Sequence, residues 1–153
     1  MKITEFLAPE SIVSSLSATD KPAVVAELCG VLEKRVSAVN GKDLPAILLD
    51  REHLSSTGIG EGVAIPHGKV AGLSCLVAAF GVSRRGVDFN AIDGKPTHLF
   101  FALLAPENSA GIHLKALARI SRIFKNPAFR RSILDAPDAQ AIYDIISAED
   151  ARV

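Results

Sequence analysis

His67 stands between Pro66 and Gly68, at the end of the run Thr57-Gly58-Ile59-Gly60-Glu61-Gly62-Val63-Ala64-Ile65, in which glycine recurs at alternate positions. A free imidazole, with an ordinary pKa of about 6.5, can act at neutral pH as a nucleophile, a general base or a metal ligand. Pro66 fixes its own φ and restricts Ile65 to extended backbone, while Gly68 lets the chain turn directly after the ring. This places the ring at the end of an extended segment. Gly58, Gly60 and Gly62 keep the approach clear of bulky side chains, and their N–H groups are candidates to converge on an anion as a nest. With Thr57 and Gly68 they make a candidate phosphate loop.

Two further side chains have the chemistry to attend such a ring. Arg51 is close in sequence, and its planar guanidinium suits phosphate oxygens. His113 shares a helical stripe with Leu117 and Ile120, so it faces inward, near a first turn whose dipole favours an anion and keeps an imidazole neutral. His53 and His98 have no such setting and read as surface or structural residues. Glu61 puts an acid just ahead of the histidine, and Lys69, just after it, is placed to offset that charge.

Other chemistries fail on spacing. A Walker A loop ending at Gly68-Lys69 needs glycine where Val63 stands and Ser or Thr where Val70 stands. A dinucleotide fingerprint needs its third glycine at Val63 or Ile65. Asp88, Asn90 and Asp93-Gly94 resemble the start of a calcium loop, but Ile92 and Leu99 occupy ligand positions. There is no Cys-x-x-Cys or His-Glu-x-x-His for zinc, which leaves only a metal site assembled in space, and no Gly-x-Ser-x-Gly elbow for hydrolysis. The economical chemistry is a phosphoryl group taken on the imidazole itself, with donors around it but no acid or metal to promote hydrolysis.

The elements that must hold these residues follow from periodicity. Asp20 to Asn40 carries Val24, Leu28, Val31, Leu32, Val36 and Val39 at helical spacing, with Asp20 as N-cap and Pro22 in the first turn. A second helix is expected from Asp43 to about Ser55, burying Leu44, Ile47, Leu48 and Leu54 and exposing Asp50, Arg51, Glu52 and His53. Leu73 to Val82 and His98 to Leu104 read as central strands, Val87 to Phe89 as a short edge strand, and Glu10 to Ser14 as another strand. Helices are expected over Ile112 to Lys125, as a short turn opened by Asn126-Pro127, and after Pro137. The fold class is therefore α/β: a three-layer α/β/α sandwich with a small mixed β-sheet flanked by helices.

The chain has 153 residues, with 17 basic and 17 acidic side chains balancing to zero net charge, which disfavours broad nucleic-acid binding. With no linker-like segment it is expected to form a single domain over 1–153. Cys29 and Cys75 read as separate small hydrophobes in a reducing compartment, and no signal segment or membrane-length apolar run occurs, so a cytoplasmic location without membrane insertion is expected.

Taken together, Arg51-Glu52, Ser56-Thr57-Gly58-Ile59-Gly60, Val63-Ala64-Ile65-Pro66-His67-Gly68, FNAIDGKP (89–96), FALLAP (101–106) and His113-Leu114 resemble the enzyme IIA domains of the bacterial phosphoenolpyruvate-dependent phosphotransferase system, of the mannitol/fructose type. The nitrogen-regulatory branch is the most similar. The resemblance implies a mixed sheet flanked by helices, no metal or nucleotide cofactor, and phosphorylation of His67 on Nε2 by a phosphorylated histidine-containing carrier protein (HPr-like). It implies Arg51 and His113 as neighbours of that histidine, and potassium transport or sensor kinase proteins as regulated partners. Two other functions are open at this point: transfer of the phosphoryl group to a sugar-specific IIB domain, or a binding module whose histidine is not phosphorylated.

Overall fold

The computed structural model describes residues 1–153, apart from the side chain of Ala110. Two 3₁₀ turns and a short strand β1 (Ile12–Val13) lead into helix α1 (Lys21–Arg35) and helix α2 (Leu44–Leu54). Three short strands follow, β2 (Gly58–Gly60), β3 (Val63–Ala64) and β4 (His67–Val70), and then two long ones, β5 (Val77–Val87) and β6 (Thr97–Pro106). Helices α3 (Ala110–Phe124), α4 (Pro127–Asp135) and α5 (Ala139–Arg152) complete the chain.

The six strands form one mixed sheet in the order β1-β5-β6-β3-β2, with β4 also on β6. β5 and β6 pair antiparallel at its centre, and β1 lies parallel to β5. β3 and β4 both run parallel to β6 in a single register, Val63 opposite Leu99 and His67 opposite Leu103. Pro66 therefore interrupts the strand's hydrogen bonding without shifting it: its carbonyl accepts from Leu103 N at 2.9 Å. The missing N–H faces β6, as that carbonyl does, so it leaves one bond out of the ladder where β3 passes into β4.

Alternation along the strands divides the core in two. Val63, Ile65, Phe80, Phe101 and Leu103 face Ile120, Phe124, Phe129, Ile133, Ile142 and Ile146 of α3 to α5. Ala64, Val70, Ala79, Phe100 and Leu104 face Val24, Leu28, Leu32, Leu44 and Leu48 of α1 and α2. The α/β/α layering expected from the sequence is what forms.

Several expectations need correction. The first helix stops at Arg35, and a separate 3₁₀ turn (Ser37–Val39) carries Val39 into the core. The strand expected from Leu73 starts only at Val77, because Gly72 takes a positive φ of 86° and Leu73 N turns back to Val70 O. It then runs to Val87 through an irregularity in register, and Asp88 and Phe89 lie outside any strand, so the separate edge strand does not exist. The segment opened by Asn126-Pro127 is a nine-residue helix, not a short turn. Cys29 is buried but Cys75 is exposed. On α2, Leu54 is 83% exposed and Glu52 is 5% exposed, the reverse of their expected sides. Strands β2 to β4 were not foreseen: each is too short and too rich in glycine to show an alternating pattern.

Candidate functional site

His67 opens β4 with Ile65 and itself on the α3 side of the sheet and Gly68 on the α2 side. A Cβ at Gly68 would lie 2.9 Å from Ile47 Cγ2 and 3.3 Å from Leu48 Cδ2, so glycine here lets α2 pack directly onto the strand. The half-buried ring holds Nδ1 2.7 Å from the carbonyl oxygen of Ile65. A carbonyl only accepts, so Nδ1 carries the hydrogen and Nε2 is left with its lone pair. The extended backbone at Ile65-Pro66 thereby selects the tautomer whose nucleophilic nitrogen is Nε2.

The His113 ring from the first turn of α3 meets His67 edge-on, with centroids 5.2 Å apart and planes at 75°. His113 is 7% exposed, and its Nε2 is buried without a hydrogen-bond partner. Such a group costs free energy unless something polar comes to it. Burial holds both imidazoles below their ordinary value. For His67 the Ile65 carbonyl and Glu52 oppose that effect while Arg51 adds to it; for His113 the charges of His67, Lys69 and Arg51 add to it. Both rings are therefore neutral at pH 7. Arg51 itself extends along the end of α2 and donates to Ser55 O at 3.0 Å, so its charge reaches both histidines from the opposite layer.

The glycine run has a local task. Glu61 and Gly62, with φ of 60° and 78°, form the two-residue turn between β2 and β3, and positive φ at both central positions is what a tight hairpin of this kind requires. Gly58 packs against Ala91, whose Cα would be 2.9 Å from an added Cβ, and Gly60 takes φ of 88°. The amide of Gly58 is given to Ser56 Oγ and that of Glu61 to Asp93 Oδ2. These two amides are thus spent on the loop's own shape. The Glu61 carboxylate turns to Arg130 at the start of α4, 2.9 Å from Nη2.

Sequence reasoning missed the support beneath this loop. The buried carboxylate of Glu52 accepts from Thr57 N at 3.1 Å, bonds the Thr57 hydroxyl, and pairs with Lys21 Nζ at 2.9 Å. The available signal was Glu52 next to Arg51 within the motif, but helical periodicity assigned it to solvent. His98 is structural, its Nδ1 2.9 Å from Ser83 O, and His53 is exposed. The described residues contain no cluster of His, Cys, Asp and Glu able to hold a metal, and no helix long and apolar enough to cross a membrane.

The chain as a whole, in sequence and in fold, matches known proteins. The sequence profile of "Phosphoenolpyruvate-dependent sugar phosphotransferase system, EIIA 2" matches residues 5–149. The chain belongs to this EIIA family. It is 38% identical over 151 residues to the nitrogen regulatory protein of Bradyrhizobium diazoefficiens, covering 99% of this chain and 98% of that one. It is also 40% identical over 150 residues to the fructose-specific EIIABC component of Bacillus subtilis, covering 98% of this chain but only 24% of that longer protein. The crystal structure of nitrogen regulatory protein IIA-Ntr from Neisseria meningitidis superposes with a TM-score of 0.87 at 38% identity, over 94% of this chain and 98% of that chain. The EIIA family is a phosphotransferase component family, and its mixed α/β fold is the one described above.

Proposed function

We propose that this chain is a phosphoryl-accepting regulatory EIIA protein, a single domain that takes a phosphoryl group on His67 Nε2 from a phosphohistidine carrier and acts on protein partners according to its phosphorylation state. The observation that carries this reading is the Nδ1–H bond to the Ile65 carbonyl, which leaves Nε2 as the lone-pair nitrogen. In the transfer, the P–N bond of the carrier breaks and its electron pair returns to the carrier nitrogen, while the Nε2 lone pair forms the new P–N bond. With the carrier ring protonated on its other nitrogen, each ring keeps its own proton and the step balances. The His67 ring becomes cationic beside a dianionic phosphoryl group, and the Ile65 carbonyl on Nδ1–H stabilises that cation.

Arg51 and the unpartnered Nε2 of His113 supply charge and a hydrogen bond to the phosphoryl oxygens as they pass in line between nitrogens. Thr57 and Gly58 give their amides to Glu52 and Ser56 and shape the loop, while Gly60, Gly62 and Gly68 carry no side chain in the approach to His67. The regulatory role is supported by the nitrogen regulatory protein of B. diazoefficiens, which the chain matches end to end. Its regulated partners are proteins of the potassium-transport or sensor-kinase kind. The 40% identity to a fructose-specific EIIABC component supports a second reading, in which His67 passes the group on to a IIB domain.

Incubation with a phosphorylated histidine carrier followed by intact mass is the test. Wild type is expected to gain one phosphoryl group, His67→Ala none, and Arg51→Ala and His113→Ala to slow the gain by about 10²-fold. A gain that survives in His67→Ala overturns the assignment. Transfer onward to a IIB domain, with no partner sensitive to phosphorylation, decides for the second reading.

A further inference from the structure

The geometry points to Glu52 as a positioning residue for His67, acting through Thr57 and Ile65 and paired with Lys21 so that its carboxylate can lie in the interior. A buried carboxylate is costly unless it is paired and hydrogen-bonded, and this one is both. Its oxygens take the backbone N–H and the hydroxyl of Thr57, which is itself 4% exposed, and Lys21 Nζ stands 2.9 Å away. Lys21 is held in turn over the Phe89 ring, 4.6 Å from its centroid.

From Thr57 the chain of contacts leads to the reacting ring. The Thr57 carbonyl accepts from Ile65 N at 3.0 Å, and the Ile65 carbonyl accepts from His67 Nδ1 at 2.7 Å. The N–H and C=O of Ile65 point away from β6, and on that side the N–H meets Thr57 O while the carbonyl takes His67 Nδ1. The position of the Ile65 carbonyl, and with it the Nδ1–H tautomer, thus depends on where Thr57 is held. Glu52 holds it. The adjacent residue Arg51 donates to Ser55 O, and its charge acts on the same ring from the same helix turn.

The catalytic consequence rests on the phosphoryl-acceptor reading, but the effect on the ring does not, and the two are separable. We compare the double variants Glu52→Gln/Lys21→Met and Glu52→Leu/Lys21→Met, which carry the same charge and differ in whether an acceptor for Thr57 remains. The His67 tautomer is read by nitrogen-15 NMR, and the rate of phosphorylation is measured with phosphoramidate, a small donor that needs no docking surface. The glutamine pair is expected to keep the Nδ1–H tautomer and a rate within about 3-fold of wild type. The leucine pair is expected to populate the Nε2–H tautomer and lose about 10-fold or more in rate, this being the loss from misplacing a reacting group. A leucine pair with the wild-type tautomer overturns the inference. Should that pair fail to fold, Thr57→Val, which removes the hydroxyl from Glu52 but keeps the backbone, carries the same readout at smaller amplitude, and an unchanged tautomer there overturns it equally. Absence of phosphorylation in wild type with a tautomer shift in the leucine pair removes the functional reading and leaves Glu52 as the residue that sets the ring.

Discussion

The two helical layers bury different chemistry. On one face of the sheet, Phe80, Phe101, Phe124 and Phe129 stack edge-on or tilted with centroids 5.0 to 6.0 Å apart, and α3 adds a single buried polar ring, His113. On the other, aliphatic residues of α1 and α2 surround the strand, and beside them Lys21 and Glu52 form an ion pair of low exposure. The first layer works as a rigid bed that presents a neutral histidine. The second brings charge to the open edge at β4 and sets the loop. A site between them receives its positive charge from one side and its neutral donor from the other, which suits a group that arrives as a dianion and must also leave.

The largest break in this comparison comes from the aromatic bed. Phe124 touches Phe80, Phe101 and Phe129 and is 1% exposed, so Phe124→Ala is expected to cost about 3–5 kcal/mol, read as a lower urea midpoint. Below its midpoint the variant should still accept a phosphoryl group at near the wild-type rate, since none of these rings touches His67. Loss of acceptance in the folded variant would mean that the bed tunes the site directly.

Gly68→Ala tests the other side. The added Cβ meets Ile47 and Leu48, and α2 must retreat or the strand must shift, at an expected cost of about 1–3 kcal/mol. Because α2 carries Arg51 and Glu52, acceptance should fall by more than the stability change alone would give. The measurement is the phosphorylation rate of fully folded protein, and a wild-type rate would show that the seating of α2 on β4 does not govern the site.

What could be read from the sequence follows the same division. The long apolar strands, the cap at Asp20 and the inward stripe of His113 were legible because each is a periodic or local signal, and Asp20 does accept an amide of the first turn, from Ala23. His67, Arg51 and His113 were legible as site candidates from residue type and spacing. Glu52 and Leu54 were not, because helical periodicity assigns a charged residue to solvent and a leucine to the core. Glu52 is drawn inward by Thr57, five residues on, and by Lys21 of α1, contacts that helical periodicity does not register. The three short strands around the glycines were also hidden. Their pairing is set by β6 and by a two-residue turn, not by a pattern of their own.

The smallest effect, and the one that separates the layers most finely, is the response to acid. Burial depresses both His67 and His113 below the ordinary 6.5, so between that value and their folded-state values the unfolded chain binds more protons than the native one. Stability is then level above about pH 6.5 and falls as pH drops through this window. The groups facing the two rings are Arg51, Lys69 and Glu52. The two cations reinforce the resistance to protonation and Glu52 opposes it only at His67. Carboxylates held below their ordinary value, Asp93 from 3.8 and Glu149 from 4.5, add their own loss only in stronger acid, as pH falls through their folded values. Urea midpoints at pH 7.5, 6.5 and 5.5 should therefore show a drop confined to the last step in wild type and a flatter profile in His113→Phe, whose ring stays in the aromatic layer but cannot take a proton. If His113→Phe keeps the full wild-type slope, the acid response belongs to His67 and the charged layer alone, and the neutral histidine of α3 is insulated from the site it faces.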